Sequence, residues 1–308
     1  MIYTVTLNPA LDRAVAVERL NDDDTNRIIR ETSYAAGKGI DVSRVIRRLQ
    51  GQSIALGLVG GYDGLHLEGL LINAGVMIDF TRISQETRTN ILLKENFSGK
   101  QYVISAAGPE IDAAEIGRFY QQVLAIKDME YFVMSGSLPR GVSPNLYSQL
   151  IVAGKKKKAF IFLDTDGKAL RESIAYLPTC IKPNIHELSR LVGRELKNET
   201  DILESCERLH QEGIQFILAS MGRKGLIFSS KEQKIKAVAP PVKVESSVGA
   251  GDSVVAGFVL AHSQQMDLIE CVRLACAAGT ATAKTPGTEL CNLEDVEKII
   301  PEVKITSL

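Results

Sequence analysis

The sequence predicts an α/β fold in which a mostly parallel central sheet is flanked by helices and a small β-flap stands beside it. Three observations predict this. From residue 131 onward, short apolar strands end in polar loops and give way to helical spacing, at the interval of parallel-sheet units. Two glycine-rich loops, at 35–41 and 246–252, each run straight into residues of helical spacing. Four weaker strand patterns, at 13–20, 28–34, 87–93 and 101–106, fall outside that alternation and suit a flap built from 12–34 and 87–106.

A chain of 308 residues with 45% hydrophobic content can bury a substantial core, as one large α/β domain or two ordinary ones. Its net charge of −1 and pI near 6.5 offer no basic field for nucleic acid or an anionic membrane. There is no run of apolar residues of membrane-spanning length, and residues 1–7 lack a basic signal-peptide start. Five cysteines (Cys180, Cys206, Cys271, Cys276, Cys291) include no Cys-x-x-Cys pair. They read as reduced thiols of a cytoplasmic protein, not as a zinc site or a disulfide frame.

Residues 2–7 are β-rich and form the first core strand, which Asn8-Pro9 stops. That places Asp12 at a strand end, where it either closes an Asx turn or faces a ligand. Gly37-Lys38-Gly39-Ile40-Asp41 then opens a helix carrying Val42, Val45, Ile46 and Leu49. It is no Walker loop, because Lys38 is followed by Gly39 in place of Ser or Thr; Lys38 with Asp41 suits a ligand bearing hydroxyls and a phosphate. A strand at 53–60 and a helix at 64–74 follow, and their glycines make no Gly-x-Gly-x-x-Gly dinucleotide pattern. Arg88 sits at the root of the hairpin formed by 87–93 and 101–106, placed to pair with a phosphate.

Strands at 131–134 and 159–164 end in Ser135-Gly136-Ser137 and in Asp164. The run 155–158 of four lysines is a solvated face. Cys180-Ile181-Lys182-Pro183-Asn184-Ile185-His186-Glu187 is a short strand, a proline stop and a helix start. Asn184 and Glu187 lie three apart and share one side of the first turn, so they are either a cap with its box partner or outer ligands of a hydrated magnesium ion. His186 is an exposed residue without a partner, and the remaining histidines are scattered. A strand at 216–220 leads into Ser220-Met221-Gly222-Arg223-Lys224-Gly225, with a hairpin at 226–229 and 235–238. Helices at 250–261 and 268–283 follow, and a helix at 293–300 closes the chain.

The stretch Ser246-Ser247-Val248-Gly249-Ala250-Gly251-Asp252 cannot be the interior of a helix or strand, since two glycines flank one alanine. It makes a tight turn into a helix of small apolar residues. Free N–H groups and the helix dipole there attract an anion, and glycines let the backbone approach it. Asp252 in that first turn has two readings. It is an ordinary acidic first turn, or a base that takes a proton from a hydroxyl while the amides stabilise a phosphoryl group in transfer.

Five motifs taken together settle between these readings. They are Thr6-Leu7-Asn8-Pro9-Ala10-Leu11-Asp12, Ala36-Gly37-Lys38-Gly39-Ile40-Asp41-Val42-Ser43-Arg44, Ser135-Gly136-Ser137-Leu138-Pro139, Lys182-Pro183-Asn184-Ile185-His186-Glu187-Leu188 and Val248-Gly249-Ala250-Gly251-Asp252-Ser253. In this order, spanning nearly the whole chain, they resemble the ribokinase-like carbohydrate kinases, in particular the bacterial branch of 1-phosphofructokinases, minor 6-phosphofructokinases and tagatose-6-phosphate kinases. The resemblance implies one kinase domain over 1–308 with a three-layer αβα, ribokinase-like fold and a flap. It implies Asp252 as catalytic base, with the amides of Gly249, Ala250 and Gly251 as the anion hole. Asp12, Arg27, Gly37, Lys38, Gly39, Asp41, Arg88 and Ser137 fall on acceptor-site positions, Arg27 reaching them from the flap. Lys182, Asn184, Ser220, Gly222, Gly225 and Gly251 fall on ATP-site positions, with Asn184 and Glu187 organising Mg²⁺ through water. Ser246, Val248 and Gly287 match a region that binds a monovalent cation, K⁺, in some relatives.

Two departures stand out. Asp41 replaces the usual asparagine and Ala36 the usual glycine. The expected reaction is ATP-dependent phosphorylation of a ketohexose phosphate to a bisphosphate, fructose 1-phosphate being favoured. A 6-phosphofructokinase and a tagatose-6-phosphate kinase are the alternatives. A non-catalytic sugar-phosphate or nucleotide sensor on the same fold has no use for a base at Asp252. The absent dinucleotide motif speaks against a dehydrogenase. A flap with one uncovered apolar face, for which Val15, Val17, Ile29, Ile91 and Leu93 are the expected residues, is unstable alone and implies a homodimer through the flap.

Overall fold

The computed structural model describes residues 1–308, and its chain begins with β1 (Ile2–Thr6), flap strands β2 (Ala10–Val17) and β3 (Ile28–Ala36), α1 (Lys38–Arg48) and β4 (Ile54–Val59). Next come α2 (Gly61–Asn73), β5 (Met77–Arg82), the remaining flap strands β6 (Arg88–Glu95) and β7 (Gln101–Ile104), and α3 (Ala113–Ala125). The middle of the chain alternates β8 (Tyr131–Ser135), α4 (Leu146–Lys156), β9 (Phe160–Asp164), α5 (Gly167–Ile174), β10 (Cys180–Ile181), α6 (Ile185–Val192), α7 (Glu199–Glu212) and β11 (Phe216–Ser220). The last part holds β12 (Leu226–Ser229), β13 (Lys234–Val238), α8 (Ala250–Ser263), α9 (Leu268–Ala283), α10 (Leu293–Ile299) and β14 (Lys304–Ser307).

The main sheet runs β14-β13-β12-β11-β10-β9-β8-β1-β4-β5, parallel from β5 to β11 and antiparallel beyond. Alternating strand residues feed two cores. Val133, Phe162 and Cys180 face α1, α8 and α9, while Phe132, Leu163 and Ile181 face α3, α4 and α7 on the other side. Three layers result because strands buried on both faces need helices on both. Small residues let α8 and α9 touch backbone to backbone: a side chain at Gly257 would come within 2.9 Å of the Leu274 carbonyl oxygen. No helix is long and apolar enough to cross a membrane.

After β1 the chain builds β4 and β5 on one side and β8 onward on the other, so the strand order reverses at β1. Ligands of open α/β sheets bind at such a point, outside the carboxyl ends of the strands. The second sheet, β3-β2-β6-β7, rises there, with β2 parallel to β6 and antiparallel to β3.

Several expectations need correcting. Asp12 is not at a strand end but inside β2, because pairing with β3 and β6 resumes at Ala10, immediately after the Asn-Pro break. The helix at 293–300 does not close the chain; β14 follows and adds the edge strand beside β13. No strand is predicted at 77–82, where the edge strand β5 turns Ile78 and Phe80 to the small core beside α2 and leaves Met77 and Asp79 exposed. On the flap, Ile29 and Ile91 are exposed and Leu93 half-exposed, but Val15 and Val17 are buried. They lie on an inner strand, where Glu31 and Leu93 flank Val15 from both neighbours.

Candidate active site

The carboxyl ends of β1, β8, β9, β10 and β11 deliver Asn8, Ser137, Asp164, Lys182 and Ser220 to one edge of the sheet. The starts of α1 and α8 meet them there. Neither start has a side-chain cap: Gly37 and Gly249 occupy the cap positions, with φ of 131° and 76°. The Ile40 N–H of α1 donates to the Thr6 hydroxyl at 2.8 Å and the Ala250 N–H of α8 to the Ser247 carbonyl at 3.4 Å, which leaves the amides of Lys38 and Gly39 and of Gly251 and Asp252 without a protein acceptor. At Gly249 a Cβ would lie 2.5 Å from Leu290 Cδ2, and at Gly39 it would lie 2.4 Å from the Val5 carbonyl oxygen. The absence of side chains at these glycines lets the two helix starts pack this closely on the protein interior.

Asp252 is buried in the first turn of α8, and no lysine or arginine pairs with it directly. Two ammonium groups stand nearby instead, held by Asp164: Lys182 Nζ lies 3.3 Å from Asp164 Oδ1 and Lys38 Nζ 3.6 Å from Asp164 Oδ2. Asp164 is fully buried, and neither of its oxygens accepts a hydrogen bond. A Cβ on Gly251 would come 3.3 Å from Lys182 Nζ, so that ammonium sits against the first turn of α8. Burial, then the charges of Asp41 and Asp164, push the Asp252 carboxyl up to about 8 against the pull of Lys38 and Lys182. Lys38 is held well above its usual range, chiefly by Asp164. Asp164 was visible in the sequence only as an aspartate ending a strand; its service to two lysines is a tertiary fact.

On the flap side, Asp12 Oδ1 accepts from Asn90 Nδ2 at 2.8 Å, and burial raises its carboxyl. Asp41 Oδ1 accepts from Arg44 Nη1 at 2.8 Å, and burial lifts Asp41 to about 6 in spite of that pair. Arg88 spends three donors on backbone, reaching the carbonyls of Pro9 (3.4 Å), Ala106 (3.1 Å) and Asn8 (3.0 Å). It therefore fixes the flap root and keeps two N–H groups over. Ser137 is exposed beside Asn8, whose Nδ2 lies 3.5 Å from Ser137 Oγ. Arg27 is not brought to this group. It stands at the free end of β3, seven residues from Tyr34, the β-partner of Asp12, or about 23 Å along an extended chain.

On the other side of α8, Asn184 and Glu187 form a complete capping box at the start of α6: Asn184 Oδ1 accepts from the Glu187 N–H and Glu187 Oε2 from the Asn184 N–H. The cap is thus real, and it leaves Glu187 Oε1 free of protein donors. Ser220 N–H donates to the Pro183 carbonyl, which sets Ser220 beside Asn184. Gly222 and Gly225 turn the chain with φ of 57° and 96°, and Gly225 N–H donates to the Gly222 carbonyl. Ser246, Val248 and Gly287 also meet: Ser246 Oγ donates to the Gly287 carbonyl at 2.7 Å and accepts from Val248 N–H.

The sequence pattern of the pfkB family of carbohydrate kinases matches residues 5–295. The 1-phosphofructokinase of Bacillus subtilis is 35% identical over 308 residues, the whole of both chains. The ATP-dependent 6-phosphofructokinase isozyme 2 of Escherichia coli is 35% identical over 97% of each. Among solved structures, phosphofructokinase-2 from Escherichia coli in complex with potassium superposes with a TM-score of 0.92 at 35% identity, covering 97% of this chain and 98% of that one. The tetrameric inhibited form of phosphofructokinase-2 from the same organism superposes at 0.91 with 34% identity and the same coverage.

Proposed function

The chain belongs to the pfkB family of carbohydrate kinases and is an ATP-dependent sugar kinase; from that premise we propose that it phosphorylates the 6-hydroxyl of fructose 1-phosphate, giving fructose 1,6-bisphosphate. The observation that carries the kinase chemistry is the first turn of α8. There a buried carboxylate of raised basicity stands among uncapped amides and two ammonium groups. Asp252 takes the hydroxyl proton as the acceptor oxygen bonds to the γ-phosphorus and the bond to the ADP oxygen breaks. The amides of Gly249, Ala250 and Gly251 stabilise charge on the moving phosphoryl group. Lys182 and Lys38, steadied by Asp164, hold phosphate oxygens close by. Asp12, Asp41 and the backbone at Gly37, Gly39 and Ser137 orient the hydroxyls of the sugar, while Lys38 and the two spare donors of Arg88 meet its phosphate.

Lys182, Asn184, Ser220, Gly222 and Gly225 line the nucleotide side. Glu187 Oε1, left over by the capping box, and the Asn184 amide oxygen are hard donors of the kind a hydrated magnesium ion accepts, so both residues would hold its water shell. When bound, the ion supplies charge neutralisation for the nucleotide phosphates. Ser246, Val248 and Gly287 offer oxygen atoms that suit potassium.

The choice of fructose 1-phosphate rests on the Ala-Ala-Gly-Lys-Gly loop and the Thr-Arg-Thr-Asn hairpin root, together with a full-length relative named 1-phosphofructokinase. A coupled ADP-release assay over fructose 1-phosphate, fructose 6-phosphate and tagatose 6-phosphate tests it. The highest kcat/KM belongs to fructose 1-phosphate if the reading is right. A higher value for either competitor overturns the acceptor and keeps the kinase.

The homodimer belongs to this proposal. Ile29, Ile91, Tyr102 and Ile104 share one exposed face of the flap, an apolar area that a small sheet does not leave to water. Pairing two flaps covers it. A monomer mass in light scattering at micromolar concentration would rule this out.

A further inference from the structure

Asn90 lies on β6 beside Asp12 of β2, its partner in the parallel pairing of the two strands. Its amide is used at both ends: Nδ2 donates to Asp12 Oδ1 at 2.8 Å, and Oδ1 accepts from the Ala106 N–H at 3.1 Å. The carbonyl of the same Ala106 accepts from Arg88 Nη1, and Arg88 Nη2 reaches the Asn8 carbonyl. A ring of contacts therefore closes, from Asn8 through Arg88, Ala106 and Asn90 to Asp12 and back along the chain. Only an amide suits the Asn90 position. The Ala106 N–H requires an acceptor and the Asp12 carboxylate a donor, so a carboxylate of the same shape would oppose Asp12. Two parts of the ring are left without protein partners: Asp12 Oδ2, and two N–H groups of Arg88.

We propose that Asn90 is a positioning residue for acceptor specificity. It joins Asp12 to the root held by Arg88, and so fixes the spacing between the carboxylate oxygen that meets a sugar hydroxyl and the guanidinium that meets its phosphate. The inference rests on the assignment of Asp12 and Arg88 to the acceptor. The competing ketose phosphates carry the same charge and have nearly the same size. They differ in which end bears the phosphate or in the configuration of one hydroxyl, so the placement of hydroxyl relative to phosphate is what a site can select. An aspartate side chain turns about two torsions, and a free one would follow either acceptor. Held at Oδ1, Asp12 offers Oδ2 in one place only. A fixed, buried hydrogen-bonding group rejects a hydroxyl that misses it, because the group is then left unpaired. Asp12 is buried and meets this condition. Nothing in this role requires Asn90 to touch the sugar or the nucleotide.

The test is kcat/KM for fructose 1-phosphate, fructose 6-phosphate and tagatose 6-phosphate in the wild type, Asn90→Ala, Asp12→Ala and the double variant. In Asn90→Ala the ratio between the best acceptor and the next is expected to fall by roughly tenfold, with KM for ATP within about twofold of the wild type. Because Asn90 acts through Asp12, adding Asn90→Ala to Asp12→Ala should change that ratio by less than about twofold. A ratio that survives in Asn90→Ala, or an equal fall with and without Asp12, overturns the proposal. Asn90→Asp keeps the shape and the acceptor for the Ala106 N–H but opposes Asp12, and it serves if Asn90→Ala does not fold. It is expected to lose discrimination at least as far, and a ratio equal to that of the wild type would overturn the proposal. The ratio can be read whichever ketose phosphate is preferred. An unchanged kcat/KM in Asp12→Ala would remove Asp12 from the acceptor site and the proposal with it, a failure seen separately from the others.

Discussion

The starts of α6 and α8 face the same edge of the sheet, and both follow a loop that breaks a strand pattern, yet they resolve their free amides in opposite ways. At α6, Asn184 and Glu187 satisfy each other's backbone, as Asn198 with Asp201 does at α7. At α8, Gly249 contributes no side chain, and the acidic residue of the first turn is buried without a direct counter-ion. A helix start that caps itself stabilises the fold. One that stays open leaves its amides and its charge for something else to use. The contrast separates residues whose presence is explained by folding from residues that only chemistry explains.

The largest energetic effect expected from disturbing this contrast is at the open start. Gly249→Ala forces a left-handed residue and a clash with Leu290, and should cost about 2 kcal/mol or more. Chemical denaturation measures this, and an unchanged midpoint would mean that the turn relaxes freely. Arg88→Ala comes next. It should raise KM for the acceptor by roughly tenfold or more while KM for ATP changes little, since the arginine ties the flap root and has two donors left. A change confined to ATP would assign it to the wrong ligand.

At the capped starts, Asn184→Ala and Asn198→Ala should each cost about 1 kcal/mol of stability. Only the former should also reduce kcat or raise KM for MgATP. Equal kinetics in the two variants would reduce Asn184 to a cap. A separate effect concerns stability against pH. Asp252, at about 8, and Asp41, at about 6, bind protons more tightly in the folded state than in the unfolded one. Both contributions therefore favour folding below an ordinary carboxylate pKa and are lost as pH rises from about 4 to about 8. Thermal melts of Asp252→Asn across that range should show a shallower decline than the wild type.

Much of this arrangement was legible in the sequence, for a physical reason. In a parallel sheet the residues that end strands and begin helices are all gathered on one edge, so Asn8, Ser137, Lys182, Ser220 and the loop at 246–252 can be assigned to one place without coordinates. The flap was legible too, since its strands lack the apolar density of core strands. What local pattern could not provide was partnership. Nothing near Asp164 in sequence points to Lys38 or Lys182, and nothing near Arg88 tells that its guanidinium reaches three carbonyls from two separate segments. Val15 and Val17 were expected to be exposed because alternation gives the face of a strand but not its place within the sheet. Arg27 was assigned by resemblance to a site from which the length of β3 separates it.

The account turns on Asp252 as the base at the open start of α8. The most direct measurement sets the turnover of Asp252→Asn, at saturating ATP and fructose 1-phosphate, beside its ATP affinity by calorimetry. A fall in kcat of about 100-fold or more with nearly unchanged ATP binding is the predicted result. Turnover close to that of the wild type would contradict it.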